Sequence, residues 1–272
     1  MDESGKLRIF DFTSLRREER VATPAAGEPP VAAPVVDLSD SLRFETPWVE
    51  ARRDWLDAER VLGPGGAGDA GSAYKMLRAQ VLRRLDRLGA NTLAVVGAGA
   101  GAGKTLTAIN LAIVIAAETA RTALLVDFDL RNPSIHRRLG IVVKRGVEEC
   151  LLDRLPVRDA MVKLSGYERL TVLPARSSVA ISSELLADQV TGDLVQELRQ
   201  RYLNRIIIFD LPPALAADDA LVFSRHVQAG LLVVREGATR RDEVQRTLQL
   251  LDGLQFVGTA LNASRTGLRA YY

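Results

Sequence analysis

The stretch that decides the fold is residues 92–105, which read TLAVVGAGAGAGKT. An apolar run is followed at once by small residues that end in Gly-Lys-Thr, and a helical pattern continues over residues 106–118. Small residues let successive backbone N–H groups turn toward one anion, and a lysine at the end of such a loop reaches the outer phosphates of a nucleotide. The order of strand, glycine-rich loop and helix therefore predicts a phosphate-binding loop.

The residues of this loop that we expect to contact the nucleotide are Gly99, Ala100, Gly101, Ala102, Gly103, Lys104, Thr105 and Leu106. Lys104 would neutralise charge on the β and γ phosphates, and the Thr105 hydroxyl would bind a magnesium ion. The usual pattern has a glycine where this chain has Ala98, a change of one methyl group that we expect the loop to tolerate. The alternative is a flexible Gly/Ala linker, but linkers do not end in Gly-Lys-Thr between a strand and a helix.

Two further apolar runs end in carboxylates. Residues 124–131 read LLVDFDLR, and residues 206–213 read IIIFDLPP. The end of a buried strand does not carry such groups as Asp127, Asp129 and Asp210 without a charged partner, and magnesium with phosphate would supply that partner. We expect Asp127 and Asp210 to serve the metal together with the loop threonine. For either aspartate taken singly, the alternative is a turn or helix-capping residue.

Composition and charge limit the class of protein. The chain has 272 residues with 47% hydrophobic content, enough for one α/β core with appendages, and its formal net charge of +2 gives no electrostatic reason to expect nucleic-acid binding. The single cysteine, Cys150, allows no intrachain disulfide and fits a reducing compartment. No apolar run has the length of a spanning helix and the acidic start does not resemble a signal peptide, so we expect a cytoplasmic protein that meets a membrane only through a partner.

Three parts are expected along the chain. Residues 1–71 contain proline-rich and glycine-rich stretches and predict a flexible region, with a short amphipathic helix around Trp48 and Trp55 that packs on the domain surface. Residues 72–262 alternate strand and helix patterns and form the domain. Residues 263–272 are a short tail that ends in two tyrosines.

Alternation of strands and helices predicts an α/β fold with a mostly parallel sheet covered by helices on both faces, a three-layer sandwich of the P-loop NTPase type. The predicted strands lie near residues 92–96, 123–127, 170–173, 206–209, 230–234 and 256–261. Helical patterns include residues 183–201 and 239–251. The three proposed motifs all fall at carboxyl ends of predicted strands, where ligands bind in such sheets.

Residues 125–140, LVDFDLRNPSIHRRLG, carry a family resemblance. The segment resembles the second Walker motif of the bacterial tyrosine kinases of the capsule and exopolysaccharide type, whose P-loop ATPase domain is related to the chromosome-partition and septum-placement ATPases. The resemblance covers about residues 72–272. The partition ATPases carry an additional lysine early in the loop, where this chain has Gly99, which weighs against membership in that subgroup.

The resemblance implies a protein-tyrosine autokinase that uses ATP and Mg²⁺. The expected catalytic residues are Lys104, Asp127, Asp129 and Asp210. Asp127 would accept the proton of the tyrosine hydroxyl, whose reference pKa is about 10, and Asp129 would assist metal or substrate placement, although the two roles could be exchanged.

Four more residues receive roles in this hypothesis. Arg131 would contact phosphate or a neighbouring subunit, and Asn262 would contact adenine. Tyr271 and Tyr272 would be the phosphate acceptors in a neighbouring copy, because the tail leaves the domain on the side of the site and ten extended residues reach about 35 Å. The alternative is a terminus whose aromatic residues do nothing or pack locally.

The resemblance also implies partners. It implies a separate transmembrane chain-length protein that activates the kinase, and a role in exopolysaccharide polymerisation or export. The family's first helix often carries Glu-x-x-Arg-x-x-Arg for ring assembly, and the matching residues here are Ser72, Lys75 and Arg78. Lysine cannot make the planar clamp of arginine, so we expect weaker or partner-dependent self-association. The competing hypotheses are an ATP-switched positioning ATPase and a regulatory pseudokinase.

Overall fold

A computed structural model describes residues 6–10, 46–201 and 204–264. The strands in these residues are β1 Lys6–Phe10, β2 Trp48–Val49, β3 Thr92–Gly97, β4 Thr122–Asp127, β5 Val162–Leu164, β6 Leu170–Leu173, β7 Arg205–Asp210, β8 Ala229–Arg235 and β9 Phe256–Ser264. The helices are α1 Arg53–Ala58, α2 Gly68–Leu88, α3 Lys104–Ala116, α4 Ile135–Arg138, α5 Val147–Leu152, α6 Val157–Ala160, α7 Ser182–Ala187, α8 Gln189–Arg201, α9 Asp219–Ser224 and α10 Arg241–Leu250.

The strands form one sheet in the order β1-β9-β8-β3-β7-β4-β6-β5-β2. From β9 to β6 all neighbours run parallel, whereas β1 pairs antiparallel with β9 and β5 pairs antiparallel with β6. Parallel strands end at the same edge, so the loops that follow β3, β4 and β7 meet there. The register places Asp127 directly opposite Asp210.

Alternate residues of the central strands supply two apolar layers, one on each face of the sheet. On one face Leu93, Val95 and Leu125 pack against α2 and α3. On the other face Val96, Phe209 and their neighbours pack against helices α5 to α10. Strands buried on both faces must be apolar throughout, which is why β3, β4 and β7 read as uninterrupted hydrophobic runs. The predicted three-layer α/β fold of the P-loop NTPase type is confirmed.

The predicted strands of the domain are all present, but the helix predicted over residues 183–201 is two helices, α7 and α8. Asp188 separates them with an extended backbone, φ −70° and ψ 153°. Its carboxylate accepts the N–H of Val190 at 2.8 Å, the arrangement of a helix N-cap. The apolar periodicity continues across Asp188. A prediction based on periodicity alone therefore treats the two helices as one.

Residues 46–71 differ from the expected flexible region. Strand β2 joins the sheet beside β5, and Leu56, Val61 and Leu62 are buried. Asn110 of α3 holds this segment, because its Oδ1 accepts the N–H of Leu62 at 2.9 Å and its Nδ2 donates to a carbonyl at 3.1 Å.

The helix expected around Trp48 and Trp55 begins only at Arg53, since Trp48 lies in β2. The predicted proline-rich linker, residues 21–36, and the tyrosine tail beyond Ser264 lie outside the described residues. Among the helices that the structure describes, none is both long and apolar enough to cross a membrane.

Candidate nucleotide-binding site

The loop between β3 and α3 has the backbone of an anion cradle. Gly101 and Gly103 adopt left-handed conformations with φ of 74° and 93°, which L side chains rarely adopt. Gly103 precedes the first residue of α3, Lys104. The first turn of this 13-residue helix therefore presents its N–H groups and the positive end of its dipole to the loop.

Asn262, at the end of β9, braces this loop. Its side-chain Nδ2 donates to the carbonyl of Ala102 at 3.0 Å, and its Oδ1 accepts the N–H of Ala263 at 2.8 Å. Ala263 has a positive φ of 55°, which turns the chain at this point. In this structure the amide supports the phosphate loop, and the contact with adenine stays a prediction.

Gly103→Ala is expected to destabilise the nucleotide-free protein by on the order of 2–3 kcal/mol, measured by thermal unfolding. A Cβ at Gly103 would lie 1.9 Å from Asn262 Nδ2, and the φ of 93° disfavours any L side chain. Gly99→Ala is the matched control in the same loop, because a Cβ there meets nothing within 4 Å. Equal effects of the two changes on the unfolding temperature would contradict this account of the loop.

Asp127 and Asp210 form a buried carboxylate pair where β4 and β7 end, and both are 0% exposed. Asp127 Oδ2 accepts the N–H groups of Ser134 and Ile135 at 2.9 and 3.0 Å. Within the described part of the chain, Asp127 Oδ1 and both oxygens of Asp210 have no hydrogen-bond partner. Buried oxygens without partners are costly unless a ligand satisfies them.

The pKa values of the pair reflect this burial. Burial raises the pKa of Asp210 to about 6. Burial, followed by repulsion from the Asp210 carboxylate, raises the pKa of Asp127 well above its ordinary value. Burial is the largest cause of both shifts, because it disfavours the ionised form of a carboxyl group.

The three unpartnered oxygens fit a magnesium ion, which prefers oxygen ligands. The described residues contain no group of three or more His, Cys, Asp or Glu side chains that could hold a metal by themselves. Magnesium commonly takes one or two carboxylates and completes its shell with water and substrate phosphates. Asp127, Asp210 and the hydroxyl of Thr105 would therefore hold the ion together with a nucleotide.

Lys104 and Asp129 face one another beside this pair. Lys104 Nζ lies 3.9 Å from Asp129 Oδ2, and each residue is 7% exposed. Burial raises the pKa of Asp129, opposed by the charge of Lys104. The Ser134 hydroxyl approaches the Thr105 hydroxyl at 3.4 Å. The predicted catalytic residues and the loop threonine thus lie at one edge of the sheet.

Arg131 is engaged in a network that the sequence did not indicate. Its Nε donates to Oδ1 of Asp219 at 2.8 Å, and Asp219 is fully buried. The other oxygen of Asp219 accepts the hydroxyl proton of Ser182 at 2.6 Å. The network joins the loop after β4 to α7 and α9. The only sequence signal for it is an acidic pair, Asp218 and Asp219, shortly after the two prolines.

A cleft of about 730 Å³ contains the phosphate loop, which is a size suited to a nucleotide. Its lining includes Lys104, Thr105, Asp129, Arg131, Pro212, Arg235, Trp55, Glu59, Arg137 and Arg138. The side of the cleft formed by Trp55 of α1 and by Glu59 was not predicted from the sequence. A second groove of about 1000 Å³ lies at the opposite edge, around Asn91 and Gln228, and includes none of the predicted site residues.

A glycine-rich loop before a helix, with a lysine, a threonine and two buried aspartates at the ends of parallel strands, defines a P-loop NTPase. The sequence model of the ParA family, described as NUBPL iron-transfer P-loop NTPase, matches residues 90–259. The chain belongs to this family. Membership supports binding of a nucleotide with magnesium at this loop.

Within this family, the chain is similar to proteins named as bacterial tyrosine kinases. Tyrosine-protein kinase wzc of Salmonella typhi is 30% identical over 207 residues, which cover 75% of this chain and 28% of that protein. Tyrosine-protein kinase YwqD of Bacillus subtilis is 28% identical over 180 residues, 65% of this chain and 74% of that protein. This chain therefore spans about 28% of the length of wzc but most of YwqD.

One solved structure supports the same similarity. The kinase domain of Escherichia coli tyrosine kinase ETK superposes with a TM-score of 0.70 at 27% identity, over 82% of this chain and 91% of that one. The predicted resemblance to the bacterial tyrosine kinases is confirmed.

Proposed function

We propose that this protein is an ATP-dependent protein-tyrosine autokinase that regulates polymerisation or export of exopolysaccharide or capsule. One observation carries the proposal: Lys104, Asp129 and the buried pair Asp127 and Asp210 meet at one sheet edge. The similarity to wzc, YwqD and ETK, which are named tyrosine kinases, supports the proposal that this arrangement transfers a phosphoryl group.

In this mechanism the protein positions the nucleotide and stabilises charge. Lys104 would neutralise the outer phosphates, while Thr105 and Asp210 would hold magnesium. Magnesium held there would supply positive charge against the negative charge that develops on the transferred phosphoryl group. The loop N–H groups would fix the phosphates without further reorganisation.

The two remaining aspartates differ in access to a substrate. Asp129 lines the cleft, whereas Asp127 is fully buried and two N–H groups hold one of its oxygens. Access therefore favours Asp129 as the carboxylate that meets the tyrosine hydroxyl, and Asp127 as a ligand on the metal side. This exchanges the roles first expected for the two residues.

Transfer of label from γ-labelled ATP tests the proposal, with the protein alone and with a candidate transmembrane chain-length protein added. We expect label to become covalent on tyrosine, and to be lost when Tyr271 and Tyr272 are both changed to Phe. Tyr202→Phe is the control. Release of free phosphate without covalent label would favour the ATP-switched ATPase, and binding without either reaction would favour a regulatory pseudokinase.

For self-association we propose weak or partner-dependent contacts. Arg78 Nη1 donates to the carbonyl of Val114 at 2.8 Å, and the Ser72 hydroxyl donates to the carbonyl of Gly68 at 3.1 Å. Both side chains thus make contacts within their own domain. The proposed activator is a separate transmembrane polysaccharide co-polymerase, which would bring the protein to the inner membrane. Measurement of the oligomeric state of the protein, with and without ATP and with and without this partner, tests the proposed self-association.

The iron transfer named in the family description is not part of this proposal. The sequence has one cysteine, Cys150, and it is buried. Burial raises the pKa of its thiol to about 12, so a reactive thiolate is disfavoured.

A further inference from the structure

Helix α1 is fastened to the segment that follows β4. The Trp55 indole Nε1 donates to the carbonyl of Arg137 at 3.0 Å. Its ring lies against Gly140, where a Cβ would be 2.7 Å from Trp55 Cδ1. Glu59, directly after the helix, accepts a hydrogen bond from Arg138 Nη1 at 3.0 Å. Two separate contacts thus fix α1 beside the cleft.

Arg138 stands close to the carboxylate pair along the chain and in space. It is the last residue of α4, a single turn at whose start the N–H groups of Ser134 and Ile135 donate to Asp127. Its side chain is 39% exposed and lines the same cleft as Lys104 and Thr105. The guanidinium therefore shares a cleft with the residues that are expected to bind phosphate and metal.

The other arginines of the cleft donate to groups within the phosphate loop or the network after β4. Arg131 donates to buried Asp219, and Arg235 donates to the carbonyl of Gly101. Arg137 donates to Asn132 and to a neighbouring carbonyl. Arg138 instead donates to Glu59, which directly follows α1 and lies outside every recognised motif.

A partly exposed ion pair such as Arg138–Glu59 contributes little to stability. Attachment of α1 to the domain therefore does not explain why this pair is present. A guanidinium has five N–H donors in a planar fork that suits phosphate oxygens. The hydrogen bond from Arg138 Nη1 to Glu59 fixes the plane of the guanidinium group and so orients its other N–H donors. These donors can then bind a second anionic partner.

We infer that Arg138 binds the terminal phosphate of the nucleotide as a second cation beside Lys104, and that Glu59 is its positioning residue. The inference rests on the proposed function in one respect, namely that the cleft holds ATP. It adds a residue from α4 and a residue next to α1 to the site.

Comparison of two nucleotides tests the inference. Binding of Mg·ADP and of a non-hydrolysable ATP analogue is measured by calorimetry and by tryptophan fluorescence, since Trp55 lines the cleft. Arg138→Met should weaken binding of the ATP analogue by about tenfold and leave ADP within about twofold, because only the analogue carries the terminal phosphate. Arg138→Lys should recover part of the loss. Glu59→Gln should lower the ATP-to-ADP affinity ratio by a smaller factor.

The matched controls are Arg246→Met and Asp242→Asn, which break a surface ion pair on α10. They should leave the affinity ratio unchanged. Equal weakening of both nucleotides by Arg138→Met, or of neither, would overturn the inference while leaving the proposed kinase intact. Failure of the unchanged protein to bind either nucleotide would defeat both.

Discussion

Lys104→Met is expected to lower transfer of phosphate to tyrosine by about 10²–10³-fold or more, because it removes the cation that stabilises charge on the transferred group. The ammonium is buried and lies 3.9 Å from Asp129, so no water replaces it easily. The measurement is covalent label on tyrosine at saturating Mg·ATP. Methionine keeps the length and most of the volume of the side chain, so we expect the domain to remain folded.

Lys144→Met is the control for this change, because Lys144 is exposed. It should retain full transfer. Circular dichroism and a cooperative thermal transition should show that the Lys104 variant is folded. Transfer within tenfold of the unchanged protein would refute the assignment of Lys104 to the outer phosphates.

Asp210→Asn is expected to have opposite effects on stability and on activity. The pKa of Asp210 is raised to about 6 by burial, compared with an ordinary value of 3.8. Between these values the folded state binds a proton more tightly than the unfolded state, so the free energy of unfolding falls as the pH rises through this interval. Well above pH 6 the carboxyl group of Asp210 is ionised in the folded protein, which then carries the cost of a buried charge.

A neutral amide removes this penalty. At pH 8, with a chelator present, Asp210→Asn should therefore raise the free energy of unfolding by on the order of 1–3 kcal/mol. The gain should shrink as the pH is lowered from 6 toward 4, because Asp210 becomes protonated in the folded state and no longer carries the cost of a buried charge. Activity should be lost over the whole range, because an amide is a poor magnesium ligand.

Thermal unfolding at several pH values measures the first effect, and label transfer measures the second. Asp252→Asn is the control at an exposed carboxylate and should change neither. Mg·ADP should raise the unfolding temperature of the unchanged protein much more than that of the Asp210 variant. A variant that is less stable at pH 8 would contradict the account of the buried pair.

The centre of the fold could be predicted from sequence because burial on both faces leaves a clear pattern. Strands β3, β4 and β7 are uninterrupted apolar runs, and two of them stop at a carboxylate. The two strands beyond β6 in the sheet gave no such signal in the sequence. Strand β2 has two residues and β5 has three, and strands so short are defined by what they pair with.

In the candidate site, too, some features could be predicted from the sequence and others could not. The phosphate loop and the aspartates at strand ends are local patterns, since their neighbours in the chain dictate their chemistry. The contact between Glu59 and Arg138 joins residues 79 positions apart, and no spacing rule connects them. The bond from Ser182 to Asp219 is likewise a product of folding. Such pairs become visible only when the sheet order is known.

The two outermost strands of the sheet come from one short stretch of chain. Strand β1 pairs with β9 at one edge of the sheet, and β2 pairs with β5 at the other edge. The first fifty residues therefore supply both edge strands. Eight strand spacings separate them by roughly 38 Å. A shortened protein that began after residue 50 would bare two rows of unpaired backbone amides and carbonyls at once. Exposed margins of this kind recruit other chains, so aggregation would follow from the loss of sequence that carries no catalytic group.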